Sequence, residues 1–232
     1  MPSHTGGVYG ILPETLSCST RMIITHHGAD FFKVAFGDTT IAFNPIAKES
    51  KLKQVRFGAD IALVSLDHPD MNGADQVAHG DRAPLVISGP GEYEANDILI
   101  KGYPTTSTYG GVERINTVYL VTMEKMLILY LGATNTKKLP QELKEALDLV
   151  DILFVPIGGD GVLEPAEAYE FAVSIEPKVV IPMHYGAVGV NGALEAFLKE
   201  EGSGEKLSAV DKYTVKPRDL EGKQNEMVVF VQ

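Results

Sequence analysis

Apolar residues recur along this chain in two rhythms. From residue 31 to 131 they form short runs: Phe31 to Phe36, Thr39 to Phe43, Ile61 to Val64, Leu85 to Ser88, Ile98 to Gly102, Thr117 to Met123 and Met126 to Leu131. Such runs, bounded by Gly, Pro, Asn and Asp, predict strands. Gly37-Asp38 and Glu124-Lys125 each separate two runs and predict tight hairpins. After residue 140 the rhythm alternates. Pro140 opens a helix with Leu143, Ala146, Leu147 and Val150 on one face. Ile152 to Pro156 reads as a short buried strand, and Pro165 opens a helix carrying Ala168, Phe171, Ala172 and Ile175. Val179 to Met183 is again a strand and ends at His184. Leu194, Phe197 and Leu198 mark a third helix, closed by Gly202 as C-cap. Tyr213 to Val215 and Met227 to Val231 close the chain as strands. Strands first, then strands alternating with helices, predict sheets packed in layers and covered by helices, with loops at the strand ends where a site can assemble.

The chain has 232 residues and 44% hydrophobic content, enough for a substantial core in one large domain or two small ones. Residues 1–20, rich in Gly, Pro, Ser and Thr, read as a loose leader, part of it attributable to an expression vector. A net charge of −11 argues against nucleic acid or an anionic membrane as partner. The densest basic group, Lys48, Lys51, Lys53 and Arg56, reads as a solvated face. The single cysteine, Cys18, excludes an internal disulfide framework and fits a reducing compartment. No apolar run approaches the roughly 20 residues that span a bilayer, and the leader has neither the basic start nor the apolar stretch of a signal peptide. Cytoplasm is the expected location. A small molecule or a protein is the expected partner, with a homo-oligomer left open.

Candidate chemistry concentrates in Val64-Ser65-Leu66-Asp67-His68-Pro69-Asp70-Met71-Asn72, where a strand opens into a loop. An imidazole and a carboxylate two residues apart at a strand end make half of a metal site, but Leu66 and Met71 beside them are not zinc ligands. Plainer readings stand next to this one. Asp70 can cap the turn that follows it, and His184 at the end of a buried strand can be a hydrogen-bonded core histidine. His26 and His27, adjacent in a strand, would point to opposite faces, with one of them able to substitute for a missing ligand. His79 precedes a turn and reads as exposed; His4 lies in the leader. Gly158-Gly159-Asp160-Gly161 sits between a strand and a helix like an anion-binding turn. It lacks a P-loop lysine, and Asp160 would repel phosphate. Ser17, Ser107 and Cys18 have no nucleophile context.

Several landmarks together resemble the metallo-β-lactamase fold, and within it the small cytosolic zinc-dependent hydrolases related to L-ascorbate-6-phosphate lactonase. Gly28 and Phe32 stand where the family's first strand carries a Gly and an aromatic, and Asn44-Pro45 stands for an Asp-Pro. Ala59 to Ser65 matches the strand before an H-x-H-x-D-H motif. Gly89-Pro90-Gly91-Glu92-Tyr93-Glu94, Leu131-Gly132, Pro156-Ile157-Gly158-Gly159 and Ile181 to Gly186 are further signatures. The resemblance implies an αββα sandwich of two mixed β-sheets covered by helices, spanning residues 21–232 as a single domain. It also implies two metals held by seven ligand positions. Three keep a ligand: His68, Asp70 and His184. Four have lost it: Leu66, Met71, Ser107 and Ala133. Asn44 and Ala29 are further departures.

Two functional readings follow. In the first, the protein is a non-catalytic or strongly altered member that keeps the scaffold for binding, assembly or regulation, with no resident cofactor. Its pocket would be lined by residues such as His27, Asn44 and Tyr185. In the second, it is a single-metal hydrolase of a lactone, an ester or a phosphoester, with zinc or another divalent ion on His68, Asp70 and His184. Ala133 cannot bridge two cations, so the resemblance argues against the two-metal mechanism in both.

Overall fold

The computed structural model describes residues 21–147, 149–202 and 207–232, so the predicted leader, with Cys18, lies outside the described residues. Two mixed sheets face each other. The first has six strands: β1 (Met22–His26), β2 (Phe32–Phe36), β3 (Thr39–Phe43), β4 (Ile61–Leu63), β5 (Leu85–Ile87) and β12 (Tyr213–Val215), in the order β12-β1-β2-β3-β4-β5. The second has seven: β6 (Gly91–Ala95), β7 (Ile98–Ser107), β8 (Arg114–Met123), β9 (Met126–Tyr130), β10 (Ile152–Pro156), β11 (Val179–Met183) and β13 (Glu226–Met227). They are ordered β13-β11-β10-β9-β8-β7-β6. Strands β3, β4 and β5 run parallel, as do β9, β10, β11 and β13. Parallel strands release their loops at a common end of the sheet, which is where sites assemble in such folds.

The period of two along each strand sorts residues between faces. Ile41, Phe43, Ile61 and Leu63 enter the main core between the sheets, together with Tyr119, Tyr130 and Phe154. Ala42 and Ala62, on the opposite face, are small, and a second cluster built from Phe31, Ile46 and Val77 covers them. The outer face of the first sheet is therefore covered by the 46–59 segment and a 3-10 turn at Ala74–Val77. On the second sheet, α2 (Pro165–Ile175) packs on β10 and against α3 (Ala193–Glu200). Pro165 begins α2 with its fixed φ, and Glu176 ends it in the left-handed region. Gly202 follows α3 at φ 77°, as its predicted C-cap role requires.

The described elements differ from the sequence expectation in four places. The helix expected from Pro140 is short, α1 (Gln141–Glu145), and Val150 is buried just ahead of β10 rather than on a helix face. The closing strand pairs with β11 only at Glu226 and Met227; Phe230 then bridges to Val210. β6 is an additional strand, joined to β7 by Asn96-Asp97, both at positive φ as a two-residue hairpin requires. Finally, β7 and β8 run past their apolar stretches. The polar extensions Tyr103–Ser107 and Arg114–Asn116 pair with each other and carry Thr105, Ser107 and Asn116 to the loop end of the sandwich.

Asn116 ties that end together. Fully buried, it donates from Nδ2 to Thr105 Oγ1 (2.9 Å) and Leu131 O (2.9 Å), and its Oδ1 accepts Ala133 N–H (2.8 Å). Leu66 bridges to it across the sheets, and Ser65 O accepts Thr117 N–H. Gly132, between Leu131 and Ala133, sits at φ +60°, and a Cβ there would lie 2.4 Å from Ser65 Oγ. Two tyrosines couple the sheets: Tyr119 donates to Val64 O (2.7 Å), and Tyr130 donates to Asp30 O (2.6 Å).

Asn116→Ala strands the buried Leu131 carbonyl and Ala133 N–H. At about 1–3 kcal/mol for each of the two stranded groups and roughly 2–4 °C per kcal/mol in a domain of this size, the melting temperature should fall by roughly 4–24 °C. Thermal unfolding followed by circular dichroism checks this, and an unchanged melting temperature would refute the role assigned to Asn116.

Candidate functional site

The seven positions singled out by the sequence lie on the loops after β4, β9 and β11 and at the end of β7. Their side chains meet, but not as a ligand set. Leu66, Met71 and Ala133 form a buried apolar cluster with Val162, and the Tyr109 ring packs against it. Three of the four positions that the resemblance reads as lost ligands are thus in one dry nest. The fourth, Ser107, is fully buried and accepts the backbone N–H of Tyr109 (3.2 Å) while donating to Gly161 O (3.3 Å). It anchors the segment that delivers Tyr109.

Tyr109 is the residue that sequence reasoning missed. Its ring stands edge-on to both His68 and His184, with centroids 4.8 and 4.7 Å away. Its hydroxyl donates to Asp70 Oδ2 at 2.7 Å. Burial first, and then the Asp70 carboxylate, hold the phenol well above the usual tyrosine range, so it stays a proton donor. Ser50 Oγ donates a short hydrogen bond to the other carboxylate oxygen, Oδ1. Asp70 therefore does not cap its own turn: its carboxylate crosses to two other loops, while the turn's N–H groups at Met71 and Asn72 go to His68 O.

His68 Nδ1 accepts the Asp70 backbone N–H at 3.2 Å and lies 3.5 Å from Asp70 Oδ2. A nitrogen that accepts the backbone proton has none for the carboxylate, so the longer contact is not a hydrogen bond, and the network places the ring proton on Nε2. His184, fully buried with backbone φ 62°, holds Asp30 Oδ2 at 2.6 Å through Nδ1. Among the described residues, His184 Nε2 and Asp30 Oδ1 are buried without a hydrogen-bond partner. The core-histidine reading of His184 is thus met in a particular form, a His–Asp pair that spans 154 positions in sequence. Asp30 was not foreseen; the signal available was a carboxylate just past Gly28, in a stretch otherwise apolar. Gly158 belongs to the same knot, since a Cβ there would lie 2.1 Å from His184 O. The Gly158–Gly161 turn is structural: Gly159 N–H goes to Leu163 O, and Gly161 O takes Thr108 N–H.

The pocket-lining candidates separate. Asn44 is fully buried at φ 47°, donates to Ser65 Oγ (2.9 Å) and accepts Ser65 N–H (2.8 Å), which braces the strand before the 66–71 loop. Tyr185 is buried and donates to Phe230 O at 3.4 Å. His27 does line a cavity. His26 lines the same one, contrary to the expectation of opposite faces, because β1 ends at His26 and Gly28 turns the chain at φ 105°. His79 is exposed, as expected. Neither His26 nor His27 joins a ligand group. Among the described residues, no three His, Cys, Asp or Glu side chains are gathered so as to hold a metal ion. The donors present do not fit the two metals that the resemblance implies, because Asp70 is committed to Ser50 and Tyr109, and the Tyr109 ring stands between the two histidines.

Burial depresses both β1-end histidines, His27 to about 4, with His26 and Lys33 adding to the effect. A histidine whose folded value is lowered favours the fold above its unfolded value of about 6.5, and that stability is lost as pH falls through the folded value. Melting temperature should therefore decline from pH 6.5 towards pH 4, and less steeply in His27→Gln. Equal slopes in the two proteins would refute this.

Comparison with known proteins agrees with the architecture. Residues 23–184 match the Beta-lactamase superfamily domain. A UPF0173 metal-dependent hydrolase of Nitratidesulfovibrio vulgaris is 26% identical over 194 residues, covering 72% of this chain and 81% of the relative. A UPF0173 metal-dependent hydrolase of Thermoplasma acidophilum is 28% identical over 169 residues, covering 64% and 74%. The crystal structure of a metallo-β-lactamase superfamily protein from Thermotoga maritima superimposes with a TM-score of 0.70 at 26% identity, covering 91% of this chain and 100% of that one. A metallo hydrolase from Ignicoccus hospitalis, at 19% identity and a TM-score of 0.61 over 85% of this chain and 99% of that one, shares the fold. With two mixed sheets, the site loops at their shared end and most of its length matched, the chain belongs to the β-lactamase superfamily domain family and has the metallo-β-lactamase fold.

Proposed function

We propose that this protein is a non-hydrolytic or strongly altered member of its family, in which the metal centre has been rebuilt as a packed support for a binding site. One observation carries the reading: Leu66, Met71 and Ala133 share one buried cluster with Val162, against which Tyr109 packs, while Ser107 anchors the Tyr109 backbone. All four replacements serve one arrangement. A two-metal hydrolase needs anionic and imidazole ligands around a bridging hydroxide. A leucine, a methionine and an alanine in contact supply instead the apolar surface on which a tyrosine ring packs. The relatives carry the name metal-dependent hydrolase, and this chain keeps their scaffold with a different centre.

A single-metal hydrolase is the second reading, and His184 favours it. An imidazole fixed through Nδ1 by a carboxylate, with Nε2 left unpartnered, is the arrangement that orients a metal-ligating histidine. An ion at His68, Asp70 and His184 requires Tyr109 to leave and Asp70 to release its hydroxyl partners.

Metal analysis by inductively coupled plasma mass spectrometry decides between them. After dialysis against zinc and then buffer, the first reading expects background metal and no turnover of lactone, ester or phosphoester substrates above the uncatalysed rate. A stoichiometric ion that is lost in His184→Ala, together with such turnover, would establish the second. The combined replacement Leu66→His, Met71→His, Ser107→His, Ala133→Asp and Tyr109→Ala should create zinc affinity that the natural chain lacks.

The hydrogen bond to Asp70 is tested separately. Tyr109→Phe keeps the ring but leaves Asp70 Oδ2 without its donor, at about 1–3 kcal/mol for a bond to a charged acceptor. The melting temperature should drop by roughly 2–12 °C, at about 2–4 °C per kcal/mol. No drop would mean that the bond does not hold the nest closed.

A further inference from the structure

A second cavity adjoins the one at the mouth of the nest, and the two share Leu52 and Ala187 in their walls. Its volume is about 320 Å3, at the small end of the roughly 300–1,000 Å3 usual for small-molecule sites. Ile46, Leu52, Val55 and Val231 supply an apolar wall. The polar side chains include His26, His27 and Lys53.

Charge is what sets this cavity apart from the one it adjoins. The chain carries 31 acidic and 20 basic residues, yet among the described residues no acidic side chain lines the cavity. The neighbouring cavity has three acidic side chains, Glu49, Asp70 and Asp160, against one lysine, Lys51. Burial keeps both imidazoles neutral at neutral pH, so they offer hydrogen bonds without charge. The Lys53 ammonium is then the one full side-chain charge in the lining. Gly28, at the wall, leaves open space where a side chain would stand.

We propose that this cavity binds a small monocarboxylate with an apolar body, its carboxylate paired with Lys53 and its body against Ile46, Leu52, Val55 and Val231. One cation matches a monoanion. A phosphate monoester would bring about −1.5 to −2 charge against that single ammonium, and an amine would find no acidic side chain in the lining. This ligand goes beyond the reading of the nest and does not depend on it: a metal found at His184 would overturn that reading and leave this one untouched.

The test is a titration of the full chain, labelled with 15N, with octanoate, 1-octanol and octyl phosphate, followed by amide chemical shifts. Octanoate should shift amides of residues 26–29 and 52–55 saturably and bind about tenfold more tightly than 1-octanol, the equivalent of about 1.4 kcal/mol. Lys53 is exposed, so Lys53→Gln should fold normally. It should bring octanoate to the 1-octanol level and leave 1-octanol unchanged. The proposal is overturned if octanoate binds no better than 1-octanol, if the replacement does not matter, if octyl phosphate binds more tightly, or if shifts centre on His68 and Tyr109.

Discussion

A phenol donating to a carboxylate over an apolar floor is the interaction on which this site depends. Asp70 stands on a loop end otherwise given over to Leu66, Met71, Ala133 and Val162, and a carboxylate beside such surface must be hydrogen-bonded or lose much of its charge. Tyr109 and Ser50 meet that need from two different loops. The same tyrosine buries its ring on the floor and against two histidines. One residue thus satisfies an acceptor and fills space, and the positions around it are small or apolar to suit it.

The scaffold explains why so much can change here without disturbing the fold. Inter-sheet packing is carried by Phe43, Tyr119, Tyr130 and Phe154, and the loop end is tied by Asn116 and by backbone bonds from Ser65. None of these ties runs through a ligand position's side chain. The side chains at the site are therefore free to be exchanged as a set, provided that each replacement keeps buried polar groups paired. The His184–Asp30 pair is the exception: two buried atoms without partners remain, at a residue whose backbone sits in the left-handed region.

Beside the nest, the chain offers a different kind of chemistry. The β1 end, the 46–55 segment and the last residues enclose a cavity that is apolar, carries neutral imidazoles and has one lysine, in a protein that is otherwise strongly acidic. With one lysine and an apolar wall in its lining, the cavity matches the single negative charge and apolar body of the proposed ligand.

The strand rhythm, the two tight hairpins at Gly37-Asp38 and Glu124-Lys125, the αL cap at Gly202 and the family landmarks were all legible in the sequence, because each is a local pattern set by backbone periodicity and turn sterics. So was the poor donor chemistry of Leu66, Met71 and Ala133, since it travels with a side chain's identity. What gathers around those positions was not legible. Tyr109 lies in a Gly-containing loop with no periodicity, and Asp30 is 154 positions from His184. The polar ends of β7 and β8 fall outside the apolar runs, and their strand character comes only from pairing with each other. Those choices belong to tertiary structure: hydrogen bonds and packing between distant segments depend on which loops the sheets bring to one end, and no local pattern records that.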